Sequence, residues 1–196
     1  IPDSMDLASA DIHLLHMWSA SLCTDQRIDR AAKVVKVKEK PDWPMGAQGK
    51  FEYEIFNVRE GMAPGRWFLD RRVGRVYYQP LPGEEVEKLD FIRPVLRHVM
   101  VVNGGCDVRI DGIVFSGATP PYGAGAGFGG LSAPAALVVR KVDRLELRGV
   151  GIRNTAGVGL NIGGSRDVLV DGCSIGSCGA CAAFISGERV VVRRTL

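Results

Sequence analysis

The chain has 196 residues, 46% of them hydrophobic and 24% charged, enough to bury a core in one or two domains. Its 25 basic and 22 acidic residues leave a net charge of +3 and are interspersed, so no basic patch argues for nucleic acid. No apolar run approaches the roughly 20 residues of a membrane-spanning helix, and an odd set of five cysteines, with Cys173, Cys178 and Cys181 crowded together, speaks against a disulfide framework.

The opening Ile1-Pro2 lacks an initiator Met and a leader, and Val190 to Leu196 closes on what reads as a strand. A piece of a longer chain is expected, so a missing leader carries no information on compartment. Within Ala10 to Trp18 rough alternation predicts a strand. His13 and His16 then fall on opposite faces, with no acidic partner or HExxH frame, and no metal site is expected from them.

From Thr24 the texture changes. Lys33-Val34-Val35-Lys36-Val37-Lys38 reads as a strand with one wet face, Lys40 to Gly49 as a Pro- and Gly-rich loop, and Phe51 to Ile55 as another strand. Pro64 to Pro80 reads as two aromatic strands joined by a tight turn, with Gly74 in the left-handed position. Residues 21–95 are thus expected to be antiparallel β without a helix.

The string PGRWFLDRRVGRVYYQPLPGEE, from Pro64 to Glu85, resembles the hairpin PGEWYLDxxxGxLYYxPxPGE of right-handed parallel β-helix (pectin-lyase-like) proteins of bacterial carbohydrate metabolism. That family includes glycoside hydrolases of the β-xylosidase and α-L-fucosidase or xylanase type. Arg66 departs from the Glu usual there. The resemblance implies an all-β chain: a β-sandwich-like insert at 21–95, strands at 1–20 leading in from preceding helix coils, and parallel β-helix coils at 96–196. It also implies a carbohydrate partner (a poly- or oligosaccharide, besides the rest of its own chain) and an extracellular or periplasmic place, while no cofactor, metal, nucleic acid or membrane partner is expected.

The coils are read from repetition. Leu145, Val168 and Val190 occupy equivalent places at spacings of 23 and 22 residues, in the range where short β-branched runs separated by Gly-rich turns stack as solenoid coils. Val108 to Gly112 joins them as the first unit. Upstream, Leu137-Val138-Val139, Leu160-Asn161-Ile162 and Ala182-Ala183-Phe184 are expected to form a second stacked strand.

This alignment sorts the charges into columns: Asp111, Arg148, Asp171 and Arg193; Asp107, Arg144, Asp167 and Arg189; Asp143, Arg166 and Glu188. Each alternates in sign along the stack, which favours this register over any like-charge pairing. Most acids thereby acquire a structural role. Glu146, whose equivalents are Arg109, Leu169 and Val191, stands outside the columns and is the one catalytic candidate.

Between the first two coils the spacing is 37, an excess of 14, filled by the Gly-rich Thr119 to Ser132. Long loops on such a stack wall a substrate cleft, so Tyr122 and Phe128 are candidates to stack on sugar rings, with Asn161 as a further polar contact. Gly125, Gly127 and Gly130 spell GxGxxG, but prolines stand before and after in place of a strand and helix, and no dinucleotide site is expected. Cys178 and Cys181 have CxxC spacing without a second pair to complete a zinc site. The family's chemistry implies glycoside hydrolysis by two carboxylates, with the catalytic pair beyond residue 196; a polysaccharide lyase and a non-catalytic carbohydrate-binding or adhesin β-helix are the alternatives.

Overall fold

The structure, a computed structural model, describes residues 5–16, 20–24, 27–37, 41, 52–119 and 133–196. Among them every regular element is a strand or a short 3-10 turn, as expected of an all-β chain. They form two units divided between Phe91 and Ile92.

In the first unit, alternation in β1 (Asp11–Leu15) buries Ile12 and Leu14. β1 is the centre of an antiparallel sheet, flanked by β2 (Ala20–Cys23) and by β5 (Glu52–Phe56). Residues of the expected lead-in thus pair inside this unit. β3 (Arg27–Asp29) and β4 (Val34–Lys36) make a separate hairpin with Ile28 opposite Val35. All of β4 is exposed, where sequence predicted one wet face; a two-stranded ribbon has too little surface to bury a face.

The expected aromatic hairpin is β6 (Trp67–Asp70) with β7 (Arg75–Tyr78), antiparallel from Trp67 opposite Tyr78 to Asp70 opposite Arg75. Gly74 has φ +65°, the left-handed geometry such a turn requires. Phe68 and Tyr77 stack with centroids 6.1 Å apart. The Tyr78 hydroxyl donates to Glu84 at 2.6 Å, and Leu81 N–H donates to the same carboxylate at 2.9 Å, fastening the segment after the hairpin. Asn57 ties β6 to the chain before it: its amide donates to Leu69 O at 2.9 Å and Ser9 O at 2.6 Å, and accepts from Leu69 N–H at 2.7 Å. These bonds satisfy backbone groups that have no sheet partner.

The second unit is built from repetition. β8 (Met100–Asp111), β10 (Ala135–Arg148), β12 (Val158–Asp171) and β14 (Ala183–Arg193) form one parallel sheet in the order β14-β12-β10-β8. β9 (Val114–Ser116), β11 (Gly151–Arg153) and β13 (Ser174–Ile175) form a second, in the order β13-β11-β9. Val108, Leu145, Val168 and Val190 stand opposite one another in register, as do Ile110, Leu147, Val170 and Val192. All of these but the exposed Val192 pack with Phe115 and Ile152 of the smaller sheet in one core. Removing such an aliphatic side chain from water is worth about 1.5–3 kcal/mol, which makes the stack the main store of stability in this unit.

The chain bends at columns of left-handed residues. Gly112, Gly149, Gly172 and Arg194 follow the ends of successive long strands at φ between +51° and +65°. Asp107, Arg144, Asp167 and Arg189 share φ between +50° and +60° inside those strands. Glycine adopts this region freely and other residues at a cost, so the second column holds strain that its ion pairs must offset.

One alignment is corrected. Upstream, Leu160 faces Ala183 and Asn161 faces Phe184, so Ile185, not Phe184, lies level with Ile162. The register then shifts between Ile162 and Ser165. Gly163-Gly164 adds a residue to β12 that β14 lacks, making the repeat 23 residues above the bulge and 22 below it.

Candidate functional site

The outer face and corners of the large sheet carry the charged columns, and the register sets Arg148 opposite both Asp111 and Asp171, Asp171 opposite Arg193, and Arg166 opposite both Asp143 and Glu188. In the corner column, Arg144 Nε and Nη2 donate to Asp107 at 2.6 and 2.7 Å. Arg189 grips Asp167 in the same two-pronged way, at 2.5 and 2.7 Å. Planar guanidinium matches planar carboxylate here, so both prongs stay straight. Arg166 reaches Glu188 at 3.3 Å.

Among the described residues the most enclosed carboxylate is Asp171, at 3% exposure. Arg194 reaches it at 2.7 and 2.8 Å, Arg193 at 3.0 Å and Arg148 at 3.3 Å. Sequence reasoning assigned Arg148 and Arg193 and missed Arg194. That residue stands in the turn position that is glycine in the three preceding repeats, and its left-handed backbone at φ +51° accompanies a side chain turned back onto Asp171. Arginine where its equivalents are glycine was the available signal.

Glu146 is not free of cations, contrary to the expectation. Arg148, two residues along and on the same face of β10, donates from Nε to Glu146 Oε2 at 2.8 Å. Alignment between repeats hides such a pair because it lies within one strand. Asp111 is likewise held by Arg109 within β8.

These contacts set the acid–base character. Hydrogen bonds from Arg144, Arg148 and Arg189 hold Asp107, Glu146 and Asp167 respectively below the ordinary carboxylate range, and hydrogen bonds from Arg194 and then Arg193 do the same for Asp171. A glycosidic general acid needs the opposite shift, toward retention of its proton near neutrality. The four carboxylates suit charge pairing and hydrogen-bond acceptance.

The other sequence candidates are dispersed. Asn161 lies half-buried on β12 between Val138 and Phe184 in the neighbouring strands. Tyr122 and Phe128 lie outside the described residues. His13 Nδ1 is 3.4 Å from Glu54, directly across the β1–β5 ladder, and His16 Nε2 is 2.9 Å from the Ser21 hydroxyl. Cys178 and Cys181 are not joined in a disulfide, and Cys178 Sγ lies 3.5 Å from Gly176 O. Among the described residues no group of three or more His, Cys, Asp or Glu side chains could hold a metal ion.

Comparison with protein-family models, curated proteins and solved structures finds no match to this chain.

Proposed function

We propose that this chain is part of a right-handed parallel β-helix protein that acts on carbohydrate, with residues 21–95 as a sandwich-like insert and 96–196 as helix coils. The observation that carries the reading is the Pro64–Glu85 hairpin, with its Gly74 turn and Tyr78–Glu84 fastening, preceding in sequence a parallel stack with a repeat of 22 to 23 residues. The activity proposed for the whole protein is glycoside hydrolysis by two carboxylates on a plant or microbial poly- or oligosaccharide. Asp107, Glu146, Asp167 and Asp171 are ion-paired and acidified, so they serve the scaffold, and the catalytic pair is assigned to coils beyond residue 196. An extracellular or periplasmic place accords with such a substrate.

The test is a glycan array probed with this chain, alongside assays on aryl glycosides and on uronic-acid polymers. Glycan binding without turnover is expected. Aryl glycoside hydrolysis by the chain itself would move the catalytic pair into residues 1–196, unsaturated uronate products would replace the hydrolase with a lyase, and an array without any glycan bound would remove the carbohydrate assignment.

A further inference from the structure

The first unit holds a pocket of about 500 Å³ bordered by the β3–β4 hairpin and by β1 and β5 of the three-stranded sheet. The described part of its wall is mostly aliphatic. Ile12 and Leu14 line it from β1, Tyr53 stands opposite Leu14 on β5, and Ile28 and Val35 face each other across the hairpin. Ile12 and Leu14 are buried, whereas Val34, Val35 and Tyr53 are 42%, 38% and 50% exposed. The apolar side chains that the hairpin leaves uncovered thus border this pocket.

Space on this scale is more than a packing void. Protein interiors hold few gaps larger than a water molecule, whereas pockets of about 300–1,000 Å³ with an apolar wall and a few polar groups are the sites that take small ligands.

The polar part of the wall comes from the hairpin turn and identifies the ligand. It consists of Asp29, Arg30 and Lys33. Two of these are engaged locally: Asp29 Oδ1 accepts from Ala32 N–H at 2.9 Å, and Arg30 Nη2 donates to Met5 O at 2.7 Å. Among the described residues no carboxylate pairs with Lys33, whose backbone is left-handed at φ +55°. With two cations against one anion, the charge complement of this pocket is a single negative group on an apolar body.

We infer that the pocket binds an apolar carboxylate of the fatty-acid type, its hydrocarbon chain against Ile12, Leu14, Ile28 and Val35 and its head at the Lys33 ammonium. The inference concerns the first unit alone and is independent of any carbohydrate activity.

A backbone-amide NMR titration of the purified chain with octanoate, decanoate and dodecanoate tests it, with octan-1-ol and octylammonium as head-group controls. Saturable shifts are expected at Ile12, Leu14, Ile28 and Val35, with affinity rising about fourfold for each added methylene. Octanoate should bind more tightly than either control. Lys33→Gln should weaken octanoate severalfold, the modest effect of an exposed ion pair, and leave octan-1-ol unchanged. Val35→Trp, which fills the pocket, should abolish binding; Val34→Trp replaces it if its circular dichroism shows loss of folding. No saturable shift at the lining residues, octylammonium binding as tightly as octanoate, octanoate affinity unmoved by Lys33→Gln, or full affinity in the filled variant would each overturn the inference.

Discussion

Asp171 on β12 stands directly opposite Arg193 on β14, 3.0 Å from its guanidinium, and the same carboxylate accepts from Arg194 and Arg148. One buried anion therefore binds cations contributed by three parts of the stack. Asp171→Asn would leave those guanidiniums crowded around a neutral amide. We expect its melting temperature to fall by several degrees, and by more than in Asp167→Asn, whose exposed carboxylate engages Arg189 at a corner. Thermal melts followed by circular dichroism check the order; equal shifts would contradict it.

Acid should weaken the fold, and the sign follows from the pairing. Asp107, Glu146, Asp167 and Asp171 have lowered proton affinities in the folded chain, whereas in the unfolded chain they titrate near about 4. The unfolded state then binds more protons, so this contribution is complete above about pH 4 and is lost as pH falls through the lower folded values. Urea midpoints measured between neutrality and strong acid should stay level and then drop. Midpoints that rise on acidification would contradict the ion-pair assignment.

Position in the stack should govern the cost of truncation. Leu147→Ala removes a fully buried side chain from the main core and should cost about 2–5 kcal/mol. Val192→Ala, level with it at the open edge and half exposed, should cost about 1 kcal/mol or less. Denaturant titration of the two variants gives the comparison.

Two glycines should respond oppositely. A Cβ on Gly159 would lie 2.6 Å from Ala182 O and 2.6 Å from Ile175 Cγ2, so Gly159→Ala should cost about 1–3 kcal/mol. Gly172 has open space and φ +63°, and the following repeat places Arg194 at the equivalent turn. Gly172→Asn should therefore be tolerated, since asparagine accepts the left-handed region. Melting both variants tests whether close approach or backbone conformation fixes each glycine.

The parts of this structure that repeat are the parts legible in the sequence. The spacing of Leu145, Val168 and Val190 locates the strands, and the alternation of Asp171 with Arg148 and Arg193 sets their register, because a parallel sheet turns sequence period into spatial neighbourhood. The turn at Gly74 is legible for a different reason: few residues tolerate its backbone. Departures from repetition are what sequence hides. The extra residue in Gly163-Gly164 moved Phe184 off the inward row, and no period announces a bulge. The Arg148–Glu146 pair lies within one strand, where comparison between repeats does not look. For the site, this means that the charge columns were foreseen while the partners of Glu146 and the third cation on Asp171 were not.

The most direct test of the assignment of these acids to the scaffold is a carboxyl-carbon NMR titration of Asp107, Glu146, Asp167 and Asp171 in the folded chain. All should titrate below the ordinary carboxylate range, with Glu146 returning upward in Arg148→Met. A Glu146 carboxyl that keeps its proton to near neutrality would contradict the assignment and make that residue a general acid.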